Sequence, residues 1–305
     1  MRHTCMNMVY ELARQDPRVV FIGSDLGAGT LAKFRAEMPD RFFMEGVSEA
    51  NVLGMAAGLA LEGHVVYVNT LAVFLTRRVY EQAALDICLH NANVRLIGSG
   101  GGLVYAPLGP THMATDDIAL MRALPNMTIL APADAREMRR LMPLTLDHDG
   151  PIYIRLAKGG DPIVTPENGP CAIGKAVALR RGPDGLIVTT GVMLQVALEA
   201  AGLLASRGCE VSILHCPTVK PLDYAALREA IDQAPVVVSI EEHIKPGGLG
   251  SAVAELIAET PWKTPKRFRA LTLPDAFPDH YGSQADLMKH YGLTPENIAN
   301  SVTKE

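Results

Sequence analysis

Four residues of the 305-residue chain have types and surroundings suited to chemistry. Glu49 heads "EANVLGMAAGLALEG", a helical pattern with no further charge until Glu62. An acid at a helix start gains from the helix dipole and from free N–H groups, which is a structural use. In apolar surroundings the same carboxyl resists ionisation and can share a proton with a buried basic nitrogen. The residue pattern alone leaves both uses open. His112 closes the glycine-rich stretch "GSGGGLVYAPLGPTH" (98–112), just before a helical pattern at 116–123. It reads as a loop or capping histidine, or as a group beside a polar ligand that glycine backbone approaches closely. Arg155 sits near the end of "IYIRL" (152–156), a strand-like run. A surface ion pair is one use for it; a planar fork for phosphate, sulfonate or carboxylate is the other. Phe74, in "NTLAVF", is by default a core aromatic, and a stacking surface for a planar ring is the sharper alternative.

Other signals narrow the class. No GxxxxGK[ST] phosphate loop is present, and "PGGLGSA" (246–252) lacks GxGxxG spacing, so its glycines read as helix–sheet packing. The missing fingerprint disfavours a nucleotide-binding dehydrogenase. The five cysteines form no CxxC pair and read as reduced, mostly buried thiols of a cytoplasmic protein rather than ligands. No metal site is expected in this chain. A net charge of −5 without a basic run argues against a nucleic-acid or anionic-membrane surface. No apolar stretch approaches the roughly 18 residues of a membrane span. The start, "MRHTCMNMVYELARQD", is amphipathic and contains acids, unlike a signal or transit peptide.

The elements that must hold these residues follow from periodicity. "VVFIG", "HVVYV", "VRLIG", "MTIL" and "IYIRL" read as buried strands, with helical patterns at 48–62, 76–91 and 134–146 between them. Gly and Pro cluster at 157–170, a linker signal. A second alternation follows, with strands at 185–190, 210–215 and 235–240 and helices at 194–206, 223–233 and 249–259. The expected class is α/β with two domains, each a mostly parallel sheet covered by helices. Their bounds are 1–160 and 171–305, joined by 161–170. Ligands of such sheets bind beyond the strands' carboxyl ends, which directs attention to loops 23–30, 69–74, 98–112, 155–160 and 241–250.

Taken in order, several segments resemble the carboxyl-terminal half of a transketolase, a family related to 1-deoxyxylulose-5-phosphate synthase and, more distantly, to the beta subunits of 2-oxo acid dehydrogenases. "GSDLGAGT" resembles the first strand-end loop, "FFMEGVSEANVLGMAAGLA" the segment of the catalytic Glu, and "NTLAVFLTRRVYEQ" the aromatic segment that stacks on a pyrimidine. "GPTHMATDDIALMRALPNMTILAPAD" is the most specific match, to the substrate-histidine segment. "VKPLD" and "EEHIKPGGLGSAVAE" resemble the carboxyl-terminal domain.

The resemblance implies a pyrimidine-binding domain followed by a transketolase carboxyl-terminal domain, with thiamine diphosphate as cofactor. The family's GDG…N metal signature is missing; "HDGPIY" is the nearest string. The resemblance therefore implies one subunit of a split enzyme, with diphosphate and Mg2+ held by an N-terminal partner subunit in an alpha2beta2 assembly. Glu49 would hydrogen-bond N1′ of the aminopyrimidine and favour the tautomer whose N4′ accepts the C2 proton. Phe74 would stack on the ring, with Asp25 and Leu26 also at the cofactor. His112 would bond a substrate oxygen. Arg155 and Arg2 would grip phosphate, and Asp117 matches an acidic position at the substrate. The expected activity is transfer of a two-carbon ketol unit from a ketose to an aldehyde. A 1-deoxysugar synthase-like or acyloin-forming subunit with a 2-oxo acid donor is the alternative in the same chemistry, and a noncatalytic interaction or regulatory subunit the alternative outside it. Leu108, Met113 and Ala50 depart from the family's usual residues. Their loss of polar groups near the substrate channel is expected to shift specificity away from the ordinary pentose phosphates.

Overall fold

The computed structural model describes residues 1–24, 29 and 31–303. In the first half, β1 (Val19–Gly23), β2 (Phe42–Met44), β3 (Val65–Leu71), β4 (Val94–Ser99), β5 (Thr128–Leu130) and β6 (Ile152–Leu156) alternate with α1 (Arg2–Gln15), α2 (Ala32–Glu37), α3 (Glu49–Leu61), α4 (Tyr80–Gln82), α5 (Asp117–Ala123) and α6 (Ala135–Leu144). The second half contains β7 (Val177–Pro183), β8 (Gly185–Thr189), α7 (Met193–Ala205), β9 (Val211–His215), β10 (Thr218–Lys220), α8 (Tyr224–Gln233), β11 (Val236–Ile244), α9 (Leu249–Glu259), β12 (Arg267–Leu273), α10 (Gln284–His290) and α11 (Pro295–Thr303). Among the described residues, no helix is long and apolar enough to cross a membrane.

Two sheets result, in the orders β10-β5-β6-β4-β3-β1-β2 and β12-β11-β8-β9-β7. Apart from the antiparallel β10–β5 and β7–β9 pairs, neighbouring strands run parallel. The central strands are buried along their whole length, as a sheet covered on both faces requires. β10 belongs to the second half of the sequence yet extends the first sheet, so the halves interlock.

Helix α3 packs Val52, Leu53, Ala56 and Ala57 onto β3 and β1, whose Val66, Val68, Val20 and Ile22 belong to the same core. The small alanines let its axis come close to the sheet. Between β3 and β4 the helical run 74–88 is not uniform. Wide π-helical turns at Phe74–Arg78 and Ala83–Cys88 flank α4. Such turns rotate side chains away from the 3.6-residue stripe and often occur at functional sites.

The 157–170 segment has no strand or helix, but it is docked. Asp134 caps α6 through Glu137 N–H (2.8 Å) and also accepts from Val164 N–H, Thr165 N–H and the Thr165 hydroxyl. Burial alone would raise the Asp134 pKa, yet these hydrogen bonds hold it below its ordinary value. The cysteines fit the reduced-thiol reading: all five are free, and burial pushes Cys88 up to about 11 and Cys216 up to about 12.

Candidate active site

At the carboxyl end of β3 and the start of α3, Glu49 meets Arg78, which links it to Phe74 and, through Phe74, to His112. Glu49 is only 3% exposed. Its Oε2 accepts from Arg78 at 3.0 Å, and its buried Oε1 has no hydrogen-bond partner among the described residues. An unsatisfied buried carboxylate oxygen costs about 1–3 kcal/mol, so this oxygen is suited to a donor from outside the chain. Phe74 is half-buried. The Arg78 guanidinium lies 3.9 Å from its ring centroid, and the His112 ring meets its edge at 5.5 Å. His112 Nδ1 pairs with the Thr111 hydroxyl at 2.9 Å, which leaves Nε2 for another partner. One bidentate pair braces the group from behind: Arg77 binds Asp116, the N-cap of α5, through Nε at 2.9 Å to both carboxylate oxygens.

Arg78 escaped the sequence reading. It follows Phe74 by four residues, a helical spacing at which a cation can cover an aromatic ring, and that spacing was the available signal. The sheet and two turns thus bring together Glu49, Phe74 and His112, separated in sequence but expected at one site.

Two other expected site residues, Arg155 and Asp117, have partners of their own within the chain. Arg155 is 7% exposed and is enclosed between the domains. Its Nε donates to Asp117 at 2.7 Å and an Nη donates to the Glu242 carbonyl at 2.9 Å. Burial would lower its pKa, but the Asp117 charge outweighs that and keeps it firmly cationic. Asp117 is fully buried and also accepts from the Tyr153 hydroxyl at 2.8 Å. Asp117 Oδ1 has no hydrogen-bond partner among the described residues, while Oδ2 and Arg155 pair with each other within the chain. The reason for the pairing is their placement at the domain junction, where paired burial is the way to keep such charges. Arg2 opens α1, which packs on α6 and β1. Asp25 and Leu26 lie outside the described residues.

The glycines of 100–102 have close neighbours of a different kind than expected. A Cβ on Gly100 would meet Tyr105, one on Gly101 would meet Arg155, and one on Gly102 would come 2.5 Å from Glu242. They serve close approach of protein side chains. The packing reading of "PGGLGSA" agrees with Gly247, whose Cβ would lie 2.6 Å from Ala119, and with Glu241 accepting from Leu249 and Gly250 N–H, both at 2.7 Å. Met113 is completely buried in the core of the second half, so its apolar character answers to packing and not to a channel. Leu108 and Ala50 are exposed.

Comparison with known proteins matches residues 1–160 to the transketolase pyrimidine-binding domain and 174–298 to the transketolase C-terminal domain. An uncharacterized transketolase family protein of Sinorhizobium fredii is 41% identical over 95% of this chain and 84% of its own length. A 6-deoxy-6-sulfo-D-fructose transketolase subunit of Clostridium sp. is 36% identical over 99% of this chain and 93% of its own. A 1-deoxy-D-xylulose-5-phosphate synthase of Symbiobacterium thermophilum is 37% identical over 96% of this chain, which spans 45% of that enzyme. A solved structure described as a split gene transketolase, inactive beta4 tetramer, superposes with a TM-score of 0.91 at 34% identity, covering 99% of this chain and 97% of that one. The transketolase of Campylobacter jejuni shares the fold, with a TM-score of 0.79 at 16% identity over 99% of this chain and 46% of its own. With both domains matched in order and relatives alike along nearly its full length, the chain belongs to the transketolase family.

Proposed function

We propose that this chain is the pyrimidine-binding subunit of a split, thiamine diphosphate-dependent transketolase, completed by a partner subunit that holds the diphosphate and Mg2+. The carrying observation is the buried, unpartnered Oε1 of Glu49, linked through Arg78 to Phe74 and His112. The names of the split relatives support the same reading.

The residues present fit the cofactor. When bound, it supplies the nucleophilic carbon that adds to a ketose carbonyl and carries the two-carbon unit to an aldehyde. Glu49 Oε1 would hold the N1′ end of the aminopyrimidine and share a proton with it. Phe74 offers ring surface for stacking, and Arg78 fixes the other oxygen of Glu49 so that Oε1 keeps its direction. His112 Nε2 exchanges a proton with the substrate's reacting oxygen. The apolar body of α3 keeps water from the shared proton.

The substrate is a ketose, with Arg155, already paired with Asp117 and the Glu242 carbonyl, as the candidate for its anionic end. Exposed Leu108 near the His112 turn favours a less polar substrate tail than the ordinary pentose phosphates carry. The synthase relatives, alike over about half their length, support a 2-oxo acid donor as a second reading, which a donor screen separates from the first.

The test is calorimetric titration of thiamine diphosphate with Mg2+ into this chain, first alone and then with its diphosphate-binding partner. Binding in the mixture only is expected. Glu49→Gln in the mixture should preserve assembly and reduce turnover by about 100-fold or more, within the range for a proton-transfer group. Tight binding by the chain alone, or full turnover of the variant, overturns the proposal.

A further inference from the structure

We propose that Asp279, His280 and His290 form a binding site for one zinc-type divalent ion at the edge of the His112 turn, separate from any ion held with the cofactor.

Among the described residues, these three offer ligand atoms that all lie within 4.8 Å of one another. Asp279 and His280 belong to the irregular segment between β12 and α10, and His290 is the last residue of α10. The helix start is fixed by a reciprocal cap between Ser283 and Asp286, so the position of its far end is defined by a short rigid rod. The intervening segment turns back and sets the His280 ring 3.7 Å from the His290 ring, centroid to centroid, at a tilt of 31°. Asp279 Oδ1 lies 2.7 Å from His280 Nδ1 and 3.3 Å from the Tyr291 hydroxyl, which donates to it.

Two imidazoles and a carboxylate make an N2O donor set. Such a set suits zinc, nickel or copper, whereas magnesium and calcium prefer oxygen alone. A tetrahedral zinc with bonds of about 2.0–2.1 Å needs donors roughly 3.3 Å apart, so small rotations of these exposed side chains close the set. Solvent completes the coordination, which makes the ion a clasp rather than a sealed core site.

The clasp has a mechanical neighbour. Tyr281, next to His280, faces Gly109, where an added Cβ would come 2.9 Å from its ring. Gly109 has φ +79° and its carbonyl accepts from His112 N–H. Gln284, the first residue of α10, donates to the Glu242 carboxylate at 2.9 Å. An ion joining the segment to α10 therefore stiffens the surface against which the His112 turn rests.

Zn2+ is titrated calorimetrically into the tag-free full chain and into His280→Ala and His290→Ala. One equivalent should bind the wild type, with at least roughly tenfold weaker binding by each variant. Excess Mg2+ should not displace it. Co2+ should give the visible absorption of a four-coordinate ion in the wild type, a readout that needs no variant to fold. Zinc should raise the melting temperature of the wild type and leave both variants unchanged. No uptake by the wild type, or equal uptake by all three proteins, means an adventitious ion only and overturns the site.

Discussion

Arg78 makes two contacts that matter to the proposed chemistry: a hydrogen-bonded ion pair with Glu49 Oε2 and a flat approach to Phe74. About half of its side chain remains exposed, so the pair is partly screened and its main value is orientation. A guanidinium can bond a carboxylate and lie on a ring at once, whereas an ammonium is a point charge without a plane. Arg78→Ala is expected to lower kcat of the assembled enzyme by about tenfold, roughly 1.4 kcal/mol, and Arg78→Lys to recover only part of it. Calorimetry on the same variants separates this from occlusion. Tighter cofactor binding by Arg78→Ala would mean that the guanidinium occupies the pyrimidine's seat and must leave before binding. At this scale the sequence was legible in placement, since Glu49 and His112 come together around Arg78 and Phe74. The partners of Arg155 were not legible, because a strand-end arginine looks alike whether it faces solvent or a second domain.

Helix α3 shows how an element serves both the site and assembly. Its inner face is core, but Ala50, Gly54, Gly58 and Leu61 form an exposed row at i, i+4, i+8 and i+11, with no charge between them. Val47, Leu85 and Leu89 are exposed large apolar residues of the same half. An uncharged helix face running back from the Glu49 carboxyl is what the proposed partner subunit would cover, excluding water as it does so. A Cβ at Gly58 would meet nothing within 4 Å, so Gly58→Glu should fold and gain about 0.5–1 kcal/mol of helix stability. Sedimentation of the mixed subunits should nevertheless show weakened assembly. Undiminished assembly would place the partner on another face. The helix itself was legible, since 48–62 was expected and Glu49–Leu61 is observed. The π-helical turns on either side of α4 were not, because a 3.6-residue template cannot represent the wider turn that carries Phe74 and Arg78. β2 and β10 were missed because three residues show no period, and the equally short β5 was read only from its apolar run "MTIL"; β7 and β12 were missed because their residues are only partly buried and mixed in polarity.

For the whole molecule, the boundary read from composition is less complete than the chain's own contacts. β10 adds to the first sheet, Lys220 donates to carbonyls at the end of α5, and Arg155 reaches across to Glu242. Such pairing joins residues distant in sequence and has no local periodic signal. The junction also carries a pH signature. Glu242 is 1% exposed, and its carboxylate accepts from Leu103 N–H at 2.8 Å and from Gln284. Burial raises its pKa above the ordinary value, only partly opposed by Arg155 and these hydrogen bonds. The folded state therefore holds the Glu242 proton more tightly than the unfolded chain does. That contribution to stability is complete below the unfolded pKa, near 4.5, and is lost as pH rises through the higher folded value. Glu242→Gln keeps an oxygen for Leu103 N–H and removes the titration, while Gln284 can turn its amide to match. The stability difference, wild type minus variant, measured by urea unfolding, should fall as pH rises from about 5 to 8. Because every other titrating group cancels in that difference, a flat curve would show that the carboxylate is accommodated as well charged as neutral, and that Arg155 alone balances the junction.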